Sequence, residues 1–375
     1  MQDLDLMEAD DGCLVGIIIS QQANFYFVQV DITVYACSLR GRLKKEGETP
    51  LVGDRVAIAL EPGLDEVREL AGLFASRRGA IVRVLPRARV LSRPAIANVD
   101  QLLVVMAADQ PAFSPQMLDR VLIQASSVDL PCVIVINKRD LVEAAALEAW
   151  LTMYRGLGYR IEATQSTPDG VQPLRSHLAQ RVSVLAGPSG VGKSSLANAI
   201  QPGLRLRAAE VSTKLQRGRH TTRHASLYRI EGLSDAWIAD TPGFSFLEIE
   251  ALSPAELCWH FPEMVPLIAA CKYPSCLHVS EPACAVRAAL DATSSRYDSY
   301  LRLLSELQQR KKLLAQRTTR LESQTKRRMV AHGEEAKMVK LSGAQRERNR
   351  RTHNQNLEVS WHEETDLERP MDDHV

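Results

Sequence analysis

The sequence contains no apolar run approaching the ~18 residues that a helix needs to span a bilayer. It also lacks the basic start, apolar stretch and small-residue cleavage site of a secretory signal. A cytoplasmic protein with no membrane partner is the expectation. Seven cysteines, an odd number in a chain with no export signal, argue against a disulfide framework. Cys13, Cys37, Cys132 and Cys258 stand isolated among apolar neighbours and read as buried thiols, whereas the other three crowd into 271–284. A net charge of one sign is nearly absent as well, with 46 Lys and Arg against 45 Asp and Glu, but the sum conceals blocks. The opening MQDLDLMEADDG is acidic, residues 301–352 carry 15 Lys and Arg against five Glu, and the final HNQNLEVSWHEETDLERPMDDHV is acidic again. Such blocks are solvated tails that can steer a protein toward a polyanion.

What is present falls into successive patterns. A chain of 375 residues, 45% apolar, is enough for two or three domains with one sizeable core. Within residues 1–92, behind the acidic tail, come the runs GCLVGIIIS, NFYFVQVD, TVYACSLRG, GDRVAIAL and GAIVRVLPR, divided by Gly, Pro and charge. Five short strands of this kind predict a small antiparallel β-barrel of the OB type, with an SH3-like domain as the competing reading. Lys44, Lys45, Arg77 and Arg78 are its candidate nucleic-acid contacts. Over 93–250 the apolar runs QLLVVMAAD, PCVIVINKRD, RVSVLAG and DAWIAD alternate with helical spacing in MLDRVLIQASS, LEAWLTMYRGLG and SSLANAI. Near-continuous apolar strands alternating with helices predict an α/β domain, its parallel sheet covered on both faces and its ligands at the carboxyl ends of the strands.

Three of those strand ends carry chemistry. GPSGVGKSS at 187–195 matches the phosphate-loop pattern in full. In the loop Gly187, Pro188, Ser189, Gly190, Val191 and Gly192, the glycines would let main-chain N–H groups, which Pro188 lacks, turn toward phosphate oxygens. Lys193 would set its ammonium on the β- and γ-phosphates, the Ser194 hydroxyl would serve Mg2+, and Ser195 completes the set. Asp240-Thr241-Pro242-Gly243 ends a later strand, where Asp240 would hold a water on Mg2+ and the Gly243 N–H would meet the γ-phosphate. Between them RGRHTTRHASL reads as a loop offering Thr221 or Thr222 to the metal. Asn137, Lys138, Arg139 and Asp140 end the strand of VIVINKRD. Asp140 can accept hydrogen bonds from the guanine N1–H and exocyclic amine, which adenine cannot supply, so GTP and GDP are selected over ATP. Ala163, Thr164 and Gln165 would support the base edge.

In an ordinary GTPase the phosphate loop comes first and the base reader last, and the order here is a cyclic rotation of that. NKRD, GPSGVGKSS, GRHTT at 218–222, DTPGF and a Cys–His cluster after the GTPase core together resemble the circularly permuted GTPases of the RsgA family, the YjeQ/YloQ group, over about residues 12–300. The resemblance implies an N-terminal OB fold, a permuted P-loop GTPase domain and a C-terminal helical zinc domain at 251–309. It implies binding to the small (30S) ribosomal subunit and its rRNA late in assembly, with GTP hydrolysis faster there. The protein is expected to act as a monomer.

The cluster reads CKYPSCLHVSEPAC. By residue types alone, Cys271, Cys276, His278 and Cys284 form either one closed structural Zn2+ site or a group of reduced, unligated thiols, and the resemblance favours zinc. The position after DTPG, where many GTPases place a water-orienting Gln, is Phe244. The resemblance points instead to His220, which is otherwise a plain loop residue; His220, Lys193, Thr221 and Thr222 are the catalytic candidates. Past 297, Tyr300, Leu307, Leu314 and Leu321 recur every seven residues and predict one long helix. Residues 310–375 read as a basic helical or disordered extension ending in the acidic tail. No aromatic residue falls within 310–352, so an RNA contact there would be electrostatic rather than stacked. The competing functions are a GTPase acting on a non-ribosomal protein or RNA partner, and an RNA-binding zinc protein with a vestigial GTP site.

Overall fold

The computed structural model describes residues 13–22, 24–47, 49–60, 68–70, 73–75, 77–92, 95–202, 204, 225–240, 252–290, 294–329 and 335–339. His220, Thr221, Thr222 and Gly243 lie outside them, as do the acidic tails.

Alternation of apolar residues drives the first module. Strands β1 (Leu14–Gln22), β2 (Phe25–Val30), β3 (Thr33–Leu39), β4 (Arg55–Leu60) and, after a short hairpin, β7 (Arg77–Val84) close into a barrel in the order β1-β2-β3-β7-β4. Closure comes from β4 pairing back on β1, Leu14 opposite Ile58 and Ile17 opposite Arg55. Ile18, Phe27, Val28, Val56, Ile58 and Ile81 fill the interior without exposure. This closed five-strand order is the OB type, not the SH3-like alternative, though it is not wholly antiparallel as expected, since β3 and β7 pair in parallel. The polar connections hold two features that their composition does not announce. They are helix α1 (Gly41–Glu46), ended by left-handed Gly47 (φ 74°), and the hairpin of β5 (Arg68–Leu70) with β6 (Leu73–Ala75). A second hairpin, β8 (Val90–Ser92) with β9 (Ala95–Ala97), leads out of the barrel. At that exit the fully buried Asp54 accepts two hydrogen bonds of 2.7 Å from Arg87.

The second module is a six-stranded sheet. Strands β10 (Gln101–Ala107), β11 (Cys132–Asn137), β12 (Arg160–Ala163), β13 (Val182–Ala186), β14 (Ser226–Arg229) and β15 (Trp237–Asp240) lie in the order β12-β11-β10-β13-β15-β14. Leu102, Val104 and Met106 pack with α2 (Pro115–Ser126) and α3 (Ala144–Gly156). Leu103, Val105 and Ala107 pack with α4 (Gln172–Leu178) and α5 (Lys193–Ile200). Burial on both faces explains the unbroken apolar strands. The sheet is not wholly parallel as expected: the edge strand β14 runs antiparallel to β15. Its four residues, Ser-Leu-Tyr-Arg, follow a polar stretch and are too few to show a period. The chain runs outward from β10 through β11 to β12, then returns to place β13 beside β10 and proceeds the other way. The carboxyl ends of β10 and β13 therefore flank a topological switch point, where such sheets bind ligands.

Residues 252–290 hold little regular structure: a 3-10 turn at Leu257–His260 and short helices α6 (Val265–Ile268) and α7 (Ala285–Ala289). Helix α8 (Ser295–Gln324) follows, the single long helix that the sevenfold spacing predicts. Residues 306–375 form a separate unit. In it, strands β16 (Thr325–Met329) and β17 (Glu335–Val339) pair as an antiparallel hairpin where a helical or disordered extension was expected. No aromatic or β-branched run announces that hairpin. Among the described residues no helix is long and apolar enough to cross a membrane.

Candidate functional site

The phosphate loop leaves β13 at Gly187, and its shape depends on missing side chains. At Gly187 (φ 142°) a Cβ would stand 2.0 Å from the Val105 carbonyl oxygen of β10, and at Gly192 (φ 91°) it would stand 2.5 Å from Asn137 Nδ2. The loop thus lies against the neighbouring strand on one side and the NKRD turn on the other. Gly192 then caps α5, whose N-terminus faces the loop. Lys193 donates from Nζ to the carbonyls of Gly187 (2.9 Å) and Pro188 (2.8 Å), and burial pulls its pKa below the usual lysine value.

The NKRD turn is tied to the same loop. Asn137 is fully buried at the end of β11, and its Nδ2 donates to the Val191 carbonyl (2.9 Å) and the Ser166 hydroxyl (3.1 Å). Thr164 donates to its Oδ1 at 3.3 Å. One carboxamide therefore fastens β11, the segment after β12 and the phosphate loop together. Lys138 takes a left-handed backbone (φ 58°) and donates from Nζ to the Gly190 carbonyl at 2.9 Å and to the Gln110 carbonyl. Arg139 and Asp140 are exposed on the turn that follows, Asp140 placing a carboxylate in solvent. Of the expected base support, Thr164 is fully buried and holds Asn137. Ser166 does the same and was missed, although a hydroxyl two residues beyond Thr164 was the available signal. The Gln110–Pro111 segment after β10 was missed too, since nothing in its composition marks it as a wall of this site. Asp240 ends β15 in the sheet, as the strand pattern required.

The Cys–His cluster is drawn together by turns, with His278 (φ 58°) and Ala283 (φ 57°) both left-handed. The four candidate ligand atoms of Cys271, Cys276, His278 and Cys284 lie within 4.8 Å of one another. His278 Nδ1 is 3.6 Å from Cys271 Sγ and 3.4 Å from Cys284 Sγ, and those two sulfurs are 3.9 Å apart. A tetrahedral Zn2+ with bonds of ~2.3 Å to sulfur and ~2.0 Å to nitrogen sets its ligand atoms ~3.5–3.8 Å apart. Cys271, His278 and Cys284 match that spacing, and Cys276, within 4.8 Å of them, completes a set that could hold the ion. Burial alone would raise Glu281, but main-chain N–H donors including those of Leu277, Val279 and Ser280 outweigh it and hold the carboxyl down at about 2. This carboxylate pins the loop that carries His278. From the other side Tyr297 and Tyr300 donate their hydroxyls to the carbonyls of His278 (2.6 Å) and Leu277 (2.8 Å).

A family model described as RsgA GTPase matches residues 84–250, and one described as RsgA N-terminal domain matches residues 15–64. The protein named small ribosomal subunit biogenesis GTPase RsgA in Moorella thermoacetica is 44% identical over 299 residues, 78% of this chain and 97% of that one. The chain belongs to the RsgA family. The RsgA of Microcystis aeruginosa is 38% identical over 361 residues, 94% of this chain and 96% of its own, so the likeness extends past residue 310 in that relative. Among solved structures, YloQ, described as a circularly permuted GTPase, matches with a TM-score of 0.64 and 33% identity over 82% of this chain and 99% of its own. YjeQ from Thermotoga maritima matches with the same TM-score and 34% identity over 79% and 98%. The rotated order of motifs along this RsgA-family chain accords with a solved relative that is itself described as circularly permuted.

Proposed function

We propose that this RsgA-family protein is a GTPase that binds the small (30S) ribosomal subunit during late maturation and hydrolyses GTP faster when bound there. The observation that carries the reading is the joining of the base-reading turn to the phosphate loop through Asn137–Val191 and Lys138–Gly190. It stands in a chain whose relatives are named for biogenesis of that subunit. In this reading residues 1–92 form the barrel module, 93–250 the GTPase, 251–309 the zinc module and 310–375 an extension. The barrel and zinc modules touch rRNA, and the protein acts as a cytoplasmic monomer.

Asp140 reads the guanine edge, and the main-chain N–H groups of the Gly187–Ser195 loop, Pro188 excepted, hold the phosphates together with that of Gly243. Lys193 carries the compact charge that meets the β- and γ-phosphates. Mg2+, held through Ser194, one of Thr221 and Thr222, and a water on Asp240, supplies further charge neutralisation when bound. Catalysis is then positioning and electrostatics. Phe244 has no group to orient water, so that role falls to His220, and intrinsic turnover is slow until the protein meets rRNA. The Cys271–Cys276–His278–Cys284 site holds one structural Zn2+, closed to substrate.

Sedimentation with purified subunits tests the partner. Co-pelleting with small but not large subunits, stronger with a non-hydrolysable GTP analogue than with GDP, is expected. Equal pelleting with both subunits, or with neither, would direct attention to a non-ribosomal partner.

A further inference from the structure

Arg296, in the first turn of α8, is 4% exposed and belongs to no part of the nucleotide or metal chemistry. Its Nη1 donates to Asp119 Oδ1 on α2, while Nε and Nη2 grip Glu263 at 2.8 and 3.2 Å. The guanidinium also lies over the Phe261 ring, 4.8 Å from its centroid. Asp119 is fully buried and takes a further hydrogen bond of 2.9 Å from the Tyr154 hydroxyl of α3. One arginine thus clamps the GTPase module to the segment that carries the Cys–His cluster. The residues on either side of this clamp give it a purpose. Tyr297 and Tyr300, one residue and one turn further along α8, hold the carbonyls of His278 and Leu277. Ser126, near the far end of α2, meets His260 at 2.9 Å. At its near end α2 begins at the Ser114 cap, just after the segment whose Gln110 carbonyl shares Lys138 with Gly190. Pro111 lies against Gly190 there, 3.7 Å from where a Cβ would stand. Helix α2 is therefore held by the metal-bearing module along one side and carries a wall of the nucleotide crevice at its N-terminus.

We propose that Arg296 is a positioning residue for the nucleotide pocket: through Asp119 it sets α2, and with it the Gln110–Pro111 segment, Lys138 and Gly190, so that the zinc module acts on nucleotide binding. The proposal rests on the nucleotide pocket described above and goes beyond it by naming the connection. A guanidinium is required because one planar group must serve two carboxylates from two directions, which a lysine ammonium cannot do with the same geometry.

Release of a fluorescent GDP analogue, measured by stopped flow well below the melting temperature, tests it without any ribosomal component. Arg296→Met should accelerate release at least about fivefold, the lower end of coupling between distinct sites, and Arg296→Lys should fall between it and wild type. Removing the arginine alone leaves the buried Asp119 carboxylate uncompensated and endangers folding. The triple variant Arg296→Met, Asp119→Asn, Glu263→Gln removes the clamp's charges and should also release GDP faster. Tyr297→Phe frees the His278 carbonyl without touching α2 and should shift release in the same direction by less. Folded variants that all release GDP at the wild-type rate, even with lowered melting temperatures, would overturn the proposal. An unaltered rate in Tyr297→Phe alone would overturn the part assigned to the zinc module. If wild type failed to bind the analogue, the pocket and this connection would fall together.

Discussion

Three glycines of the phosphate loop differ in what surrounds them, and that difference ranks the cost of adding one methyl group. Gly190 (φ 82°) has only Pro111 Cδ near its missing Cβ, at an ordinary contact of 3.7 Å. Gly190→Ala should therefore incur the left-handed backbone penalty alone, about 1–2 kcal/mol. At about 2–4 °C per kcal/mol, the melting temperature of the nucleotide-free protein should fall about 2–8 °C. Gly192 (φ 91°) carries the same penalty, but its Cβ would stand 2.5 Å from Asn137 Nδ2. The carboxamide must move, loosening its bonds to Val191 and Ser166 in a fully buried site. Leaving such groups unsatisfied adds about 1–3 kcal/mol, so Gly192→Ala should cost about 2–5 kcal/mol in all. Gly187→Ala is worst, because its Cβ meets the main chain of the central strand β10 at 2.0 Å and no side chain can yield. Thermal unfolding followed by circular dichroism, without nucleotide, should give the order Gly190, Gly192, Gly187 from mildest to most severe. Equal losses at Gly190 and Gly192, or a wild-type melting curve for Gly187→Ala, would refute the packing of the loop against β10 and the NKRD turn.

Three other outcomes follow from the site. Asp140→Asn should weaken GDP binding about a hundredfold or more, since two hydrogen bonds to a charged acceptor are lost, with no fall in melting temperature because Asp140 is exposed; a titration showing unchanged affinity would remove Asp140 from base recognition. His220→Ala should retain GTP affinity and lose about 10²–10⁴-fold in kcat, whereas a matching loss of binding would defeat the water-positioning role. Elemental measurement should find one zinc per chain in wild type and in Cys258→Ser but none in Cys276→Ser, which should also melt earlier; equal zinc in both variants would disprove the ligand set.

Legibility in the sequence followed the length and regularity of each signal. The barrel strands and the four inner strands of the sheet were readable because each buries a periodic or continuous apolar run, and Gln101–Ala107 is buried throughout. Strand β14 was not, being a four-residue edge held by pairing with β15 rather than by its own pattern. The glycine spacing and NKRD named the two halves of the crevice, but not how Asn137 joins them, which depends on three segments meeting in space. Arg296 was invisible for a related reason. It stands in an unremarkable SRYDSY stretch, and its partners Asp119 and Glu263 are far away in sequence and look like ordinary surface acids. Spacing reveals residues that act from one segment, and it conceals those that act by joining several.

The most direct test of the central claim is steady-state GTP hydrolysis with and without purified small ribosomal subunits, with large subunits as the control. The account predicts slow turnover alone and strong stimulation by small subunits only. Turnover that small subunits leave unchanged, in a protein that still binds GTP, would contradict the ribosomal assignment.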